Sequence, residues 1–275
     1  MILEALGYEF FRNALIAGIL ASIACGFIGS FIVVKRMVSL AGGISHAAFG
    51  GIGLGYYLGI DPILGATIFS LGTAGIISHF RNQAHQHLDT LVAGVWASGM
   101  ALGILFIYLA PGFAPDLFSY LFGNILLVPF ENLILMAILV CIIVVTGTIL
   151  YHRFVAVTFD EEYAIVMNLP ARGLMLAIIG LTALTVVMLI QVVGVILVIA
   201  LLALPAAIAR EYSSSMKTMI VWATLLGAAF TTSGIWLSYV LDVPSGATII
   251  LIAAAVYFLV ILGRDIRHHY AELKE

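Results

Sequence analysis

The chain has 275 residues, of which 63% are hydrophobic and only 9% are charged. Soluble domains contain about 45–50% apolar and about 25% charged residues, so this composition is that of an integral membrane protein. The net charge of −3 comes from 11 basic and 14 acidic side chains without a basic block, which argues against a nucleic-acid partner.

Nine apolar segments follow one another along the chain, and a helix needs about 20 apolar residues to cross the bilayer core. The second segment is rich in glycine, and the seventh is short and contains Pro205, so either could be broken or re-entrant. The sequence therefore predicts an all-α, polytopic membrane protein with eight or nine transmembrane helices, in which residues 1–275 form a single transmembrane domain. The predicted spans are 13–34, 38–60, 62–79, 90–110, 132–151, 173–192, 194–209, 218–241 and 246–263.

The basic residues test this threading, because lysines and arginines concentrate in cytoplasmic connections. With nine crossings, ten of the eleven basic residues fall on one side, and only Arg12 falls on the other. We therefore predict an N-terminus outside and a C-terminus in the cytoplasm. The longest cytoplasmic connection is then the segment 153–172.

The predicted spans contain no Asp, Glu, Lys or Arg. This disfavours a proton- or sodium-coupled carrier, since such carriers use charged groups within the membrane as coupling sites. None of the three lysines follows a glycine, so the phosphate-binding loop GxxxxGK[ST] is also missing. Any ATP hydrolysis is therefore expected on another chain.

One histidine, His46, interrupts the second span in the run AGGISHAAFGGIGLGYYLG. Residues four apart share a helix face, so His46 lies in line with Gly42 and Gly50. The adjacent stripe is a ladder of small residues that allows another helix to approach closely. Its members are Gly43, Ala47, Gly51 and Gly55. His46 should therefore face packed protein or a cavity, where it either makes a hydrogen bond across a helix interface or serves as a metal ligand or gate.

Four segments of the chain resemble the membrane permease subunits of bacterial and archaeal ABC importers for zinc, manganese and iron. They are GSFIVVKRMVSLAGGISHAAFGGIGLG, LDTLVAGVWASGMALG, SYLFGNILLV and VVGVILVIALLALPAAIAR. The resemblance covers nearly the whole chain. It implies that the chain is a transport subunit and not an enzyme, in a system for ATP-driven import of a divalent metal by alternating access, without a permanently bound cofactor. It also implies a homodimer in the cytoplasmic membrane, a cytoplasmic ATPase with its ATP on each copy, and an extracytoplasmic metal-binding protein that delivers the ion.

The resemblance assigns a role to the cytoplasmic connection 153–172. Its acidic run matches the family's coupling segment, which docks on the ATPase. The residues of this run are Asp160, Glu161, Glu162, Tyr163 and Ala164. Asn168 stands where the family commonly has glycine, and asparagine also tolerates a left-handed backbone, so we expect a local turn there.

His46 matches the family's histidine on the second span, where metal passes or binds. The chain departs from the family pattern at Gly42 and Asn124, which stand where aspartate is common. Without the carboxylate at position 42, the half-site for a divalent ion is neutral and weaker. Asp242, at the outer end of the eighth span, is the nearest acid that could replace it as a metal ligand, although it could equally be a cap or turn residue.

Three other interpretations stay open at this point. An importer of the same architecture could carry a metal chelate, because a chelated ion needs fewer protein ligands. A passive channel or a secondary carrier would work without an ATPase partner. A membrane enzyme would need a nucleophile such as Ser45 beside His46, but neighbouring helix residues point about 100° apart and make a poor nucleophile–base pair.

Overall fold

The computed structural model describes residues 7–81, 88–111 and 123–272, apart from the side chains at 191 and 265–272. Within these ranges the chain is built from α-helices and one 3-10 turn at Ile125–Leu127, which confirms the all-α prediction. The helices are α1 (Glu9–Val34), α2 (Val38–Leu58), α3 (Pro62–Phe80), α4 (Leu88–Leu109), α5 (Phe130–Ile149), α6 (Tyr151–Phe159), α7 (Glu161–Val166), α8 (Ala171–Tyr212), α9 (Met216–Leu241) and α10 (Ser245–Glu272).

Nine helical segments in the described ranges are long and apolar enough to cross a membrane. Seven are separate helices, and the other two are the limbs of α8, Ala171–Ile190 and Val192–Tyr212. Charged residues in these nine segments occupy only the first or last turns, so the interiors are uncharged. The larger of the two predicted span counts is therefore confirmed, while the side on which each terminus lies stays a prediction.

The two limbs of α8 meet at Gly194, whose φ of 77° and ψ of 162° define a conformation that is essentially restricted to glycine. Arg210, near the end of the second limb, donates a hydrogen bond of 3.3 Å to the carbonyl of Val33. Met175, near the start of the first limb, lines a small cavity together with Lys35. Both ends of α8 thus lie beside the C-terminal end of α1, which means that the chain reverses at Gly194.

The segment just before α5 packs against this reversal. A Cβ atom at Gly123 would clash with the backbone of Val193 and Gly194, so only glycine fits there. The side-chain oxygen of Asn124 accepts a hydrogen bond of 3.1 Å from the amide of Leu126 and caps the 3-10 turn. Asn124 therefore has a structural role at a position where the resemblance leads one to expect aspartate.

Helix α2 is held between α3 and α4 by glycine contacts. Antiparallel α3 brings Gly65 against Gly51, and parallel α4 brings Gly99 against Ala47. A Cβ atom on Gly99 would lie 2.5 Å from the Cα atom of Ala47, closer than real side chains come. The prediction that the small-residue ladder allows close helix approach is confirmed, and this packing fixes the surroundings of His46.

Several connections meet at one end of the helix bundle, which we call the basic end. Lys35, after α1, and Arg81, after α3, both pair with Glu161 of α7. Glu211, at the end of α8, pairs with Arg264 of α10 at 3.0 Å. These residues belong to connections that the charge pattern placed on the same side of the membrane, so the packing agrees with the predicted threading.

Candidate metal site and docking segment

The imidazole of His46 stacks on the indole of Trp96, which projects from α4. The ring centroids are 4.4 Å apart and the ring planes differ by 11°. The parallel packing of α2 and α4 explains the pairing, since Gly43 against Val92 and Ala47 against Gly99 bracket it. Aromatic stacking of this kind stabilises by about 0.5–1.5 kcal/mol beyond area burial. His46 is thus held at a helix interface, as predicted, with Trp96 over one face of its ring.

A small side chain would fit at Gly42, one helical turn before His46. A Cβ atom at Gly42 would meet only the Cδ1 atom of Ile199, at 3.8 Å, which is an ordinary van der Waals distance. At neighbouring Gly43 it would lie 2.6 Å from Cγ1 of Val92. A methyl group therefore fits at position 42 without movement of its neighbours, whereas at position 43 the side chain of Val92 would have to shift.

Ser45 does not form a nucleophile–base pair with the neighbouring histidine. Its hydroxyl donates a hydrogen bond of 2.7 Å to the carbonyl of Ala41, one turn back in the same helix. This bond satisfies a polar group within the membrane helix. The geometry therefore gives no support to a hydrolytic site at Ser45 and His46.

Asp242 lies at the C-terminal cap of α9, exposed and in the left-handed region with a φ of 54°. Helix α9 packs against α1, α8 and α10, whereas the His46 helix packs against α3, α4 and α8. Within the described residues the two helices share α8 as a neighbour without packing substantially against each other, and Asp242 as a metal ligand stays a prediction. Among the described residues, no three His, Cys, Asp or Glu side chains gather as a metal site. His85 and His87, which form an H-x-H, lie outside those residues.

The proposed coupling residues occupy a short helix with an inner and an outer face. Asp160 caps α7 by accepting a hydrogen bond of 2.9 Å from the amide of Tyr163. Ala164 is fully buried, and Glu161 points inward to Arg81. The outer face of α7, by contrast, exposes Glu162 and large apolar side chains. These apolar residues are Tyr163, Ile165, Val166 and the adjoining Met167.

The end of this helix turns as the sequence predicts. Asn168 has a φ of 55°, in the left-handed region. The amide of Asn168 donates to the carbonyl of Ile165 at 2.9 Å, and the amide of Leu169 donates to that of Ala164 at 3.0 Å. These bonds satisfy the last carbonyls of α7. The expected turn at Asn168 is confirmed, and it ends α7 together with its exposed outer face.

A multispan helical protein with uncharged membrane interiors and an exposed helix at its basic end has the features of a membrane transport subunit. Residues 7–264 match the ABC 3 transport family, and the chain belongs to that family. It is 48% identical to an uncharacterized membrane protein of Synechocystis, covering 93% of this chain and 91% of the relative.

Two further comparisons carry descriptive names. The chain is 32% identical to the manganese transport system membrane protein MntC of Listeria monocytogenes, over 93% of this chain and 91% of that one. It also superposes on a solved structure of PsaBC from Streptococcus pneumoniae in complex with Fab. That match has a TM-score of 0.84 and 33% identity, and covers 94% of this chain and 95% of the other.

Three residues at these sites were not found by reasoning from the sequence. They are Trp96, Lys35 and Arg81. The four-residue spacing of Gly99 and Gly103 is a signal that α4 is a close-packing helix, and it could have directed attention to Trp96. Nothing local to Lys35 or Arg81 indicates that both would meet the same glutamate.

Proposed function

We propose that this chain is the permease of an ATP-driven importer of divalent metal ions. Two copies would form the membrane unit, with a cytoplasmic ATPase on each copy and an extracytoplasmic protein that delivers the metal. Membership of the ABC 3 transport family supports an ATP-driven system. A relative named as a manganese transport protein makes manganese the first cargo to test, ahead of zinc and iron.

The observation that carries the metal assignment is the His46 ring held against Trp96, one turn after Gly42, where a small side chain would fit. Neutral imidazole is the commonest metal ligand in proteins. Stacking covers one face of the ring and does not itself occupy the edge, where the nitrogen lone pair lies. A path with one imidazole and few other ligands binds an ion weakly, which suits a conduit that must release what it binds.

The outer face of α7 supports docking of an ATPase. Val166 is 77% exposed and Tyr163 is 55% exposed, so apolar surface is available at the basic end of the bundle. Such patches mark protein interaction sites. We assign this face, with Glu162 beside it, as the docking surface, and Asp160 as the cap that shapes it. ATP binding and hydrolysis on the partner would then move the segment and drive alternating access.

The orientation follows from the same assignment. The positive-inside rule places the basic end in the cytoplasm of a bacterium or archaeon, where an ATPase has access to ATP. The opposite end, with the Gly194 reversal and Asp242, would face the delivery protein. The permease itself would make or break no covalent bond, and the transported metal would be its substrate.

The test is metal uptake into liposomes that contain the permease, its ATPase and the delivery protein. Manganese, zinc, iron, cobalt and nickel are supplied in turn to the wild-type chain and to His46→Ala. His152→Ala, which removes an exposed imidazole on α6, is the control. We expect ATP-dependent uptake of one metal, a loss of about tenfold or more in His46→Ala, and full activity in the control.

Other outcomes would contradict parts of the proposal. Full uptake by His46→Ala would make the ring a packing residue. Uptake of a metal chelate without uptake of any free metal would favour the chelate importer. Uptake without ATP, or a permease that forms no stable assembly with an ATPase, would favour a channel or a carrier.

A further inference from the structure

We call the connection 153–172, which contains α7, the docking segment. Glu161 differs from the other acidic residues of this segment because its carboxylate faces the interior. Its Oε1 atom accepts a hydrogen bond of 2.6 Å from Nη2 of Arg81, and its Oε2 atom contacts the same nitrogen. Oε2 also lies 3.7 Å from Nζ of Lys35. Two cations from different helices therefore share one carboxylate, an arrangement that we call the Glu161 cluster.

The cluster is shielded from solvent, so its charges interact more strongly than a surface pair would. Arg81 is 8% exposed as a residue, and the side chains of Lys35 and Glu161 are about one-fifth exposed. Burial lowers the pKa of the Lys35 ammonium, and Glu161 opposes that shift. Arg172 lines the same cavity of about 500 Å³ as Arg81 and Glu161. Removal of the glutamate charge would leave Lys35 and Arg81 close together, with Asp160 as the other acid that acts on Lys35.

The two cations stand at the ends of helices that lead to His46. Lys35 follows α1 and precedes α2 by only three residues, and His46 lies about 12 Å further along α2, at about 1.5 Å per residue. Lys35 also donates a hydrogen bond of 3.1 Å to the carbonyl of Val157 in α6. The docking segment is thereby tied to the start of the histidine-bearing helix.

Arg81 provides the second connection. It is the C-terminal cap residue of α3, which packs on α2 through the backbone contact of Gly65 with Gly51. Two helices in close backbone contact cannot shift independently of each other. A displacement of the end of α3 therefore also displaces α2. Helices α2 and α3 therefore share one point of attachment to α7, and that point is Glu161.

We propose that Glu161 is a positioning residue that transmits movement of the docking segment to α2 and α3, rather than a contact to the ATPase. This role rests on the proposed function, in which the outer face of α7 docks on an ATPase. It separates two tasks within one short helix: the outer face binds the partner, and the inner carboxylate couples that binding to the membrane helices.

The experiment compares ATP hydrolysis with metal uptake in the reconstituted complex. Glu161→Gln keeps the size of the side chain but removes its charge. We expect uptake to fall by about tenfold or more, because a charge-assisted bond is lost, while ATPase capture and ATP hydrolysis stay within about twofold of wild type. Glu211→Gln is the matched control, since it breaks the Arg264 pair at the same end of the bundle but outside the docking segment.

A second variant separates coupling from docking. Arg81→Gln lies outside the docking segment and is buried, so it cannot be an ATPase contact, yet it should reproduce the uncoupling of Glu161→Gln. Arg81→Lys keeps a cation opposite Glu161 and should retain part of the uptake. If either charge-removing variant does not yield folded protein, Arg81→Lys keeps the ion pair, and reduced uptake with near-normal ATP hydrolysis in this variant provides the test.

The alternatives give different results. Parallel loss of ATPase capture, hydrolysis and uptake in Glu161→Gln would make Glu161 a docking contact and overturn the positioning role. Normal uptake in both single variants would make the cluster a simple ion pair. Failure of the wild-type chain to assemble with an ATPase or to take up any metal would instead overturn the proposed function itself, and this role with it.

Discussion

The two faces of α2 carry similar residues but meet different surroundings. The closed face, Gly43, Ala47, Gly51 and Gly55, lies against the backbones of α3 and α4 or the side chain of Val92. The open face, Gly42 and His46, lies about 100° away, where Trp96 stacks on His46 and a Cβ atom at Gly42 would make only an ordinary contact. An added Cβ atom would thus be crowded on the closed face, whereas it fits at Gly42. The comparison shows that residue type alone does not define the role of a small residue in a membrane helix.

The largest effect is expected from Gly51→Val, on the closed face. A Cβ atom there would clash with the carbonyl oxygen of Gly65 and lie 2.8 Å from the Cα atom of Ala66. Because these are backbone atoms, no side-chain movement relieves the clash. The yield of monodisperse permease on size exclusion should fall by about tenfold or more, since overpacking costs about 1–3 kcal/mol and sometimes more.

Gly42→Ala is the control for that substitution, since its Cβ atom has only Ile199 nearby, at 3.8 Å. It should yield nearly as much protein as the wild type. Equal yields of Gly51→Val and Gly42→Ala would contradict the distinction between the two faces.

The next effect is expected from Gly42→Asp, on the open face. A carboxylate at this position lies one turn before His46 and would complete a two-ligand half-site for a divalent ion. We expect manganese or zinc to bind the purified permease about tenfold more tightly, equivalent to about 1.4 kcal/mol, as measured by isothermal titration.

Gly42→Asn is the matched control, since it fills the same space without a charge. If the asparagine tightens metal binding as much as the aspartate, the gain would come from shape rather than from a carboxylate ligand. Unchanged binding in Gly42→Asp would place the metal elsewhere than beside His46.

A smaller effect is expected from Trp96→Leu, which removes the ring stacked on His46. Loss of the stack should remove about 0.5–1.5 kcal/mol of the interaction free energy that holds the His46 ring in its orientation. The apparent KM for metal uptake should then rise by about threefold. Trp222→Leu is a suitable control, since Trp222 is 52% exposed on α9. A loss of folded protein in Trp96→Leu, with no change in KM, would indicate packing alone.

The smallest effect is expected from Gly43→Ala. Its Cβ atom would meet Cγ1 of Val92 at 2.6 Å, but this atom belongs to a side chain that can move. The unfolding temperature should fall by a few degrees, and the double variant with Val92→Ala should recover most of the loss. A double variant that is less stable than Gly43→Ala would show that the methyl contact is not the source of strain.

Much of the architecture could be predicted from local patterns. The apolar segments were found because a membrane span requires a long uncharged run, and the ladder on α2 because residues four apart share a face. The turn at Asn168 followed from the left-handed conformation that asparagine tolerates. The reversal within α8 was expected only as a boundary between spans, and the backbone at Gly194 shows how it is made.

The sequence by itself determined that there are eight or nine spans, that nearly all basic residues fall between them on one side and that His46 lies in a small-residue helix. These are periodic or compositional properties, and each depends only on residues that are close together in the chain. Only the tertiary structure decided that Trp96 stacks on His46, that a small side chain fits at Gly42 and that Glu161 turns inward to Lys35 and Arg81. Each of these depends on partners far apart in the chain, because packing between helices, and not the local pattern, selects which side chains meet.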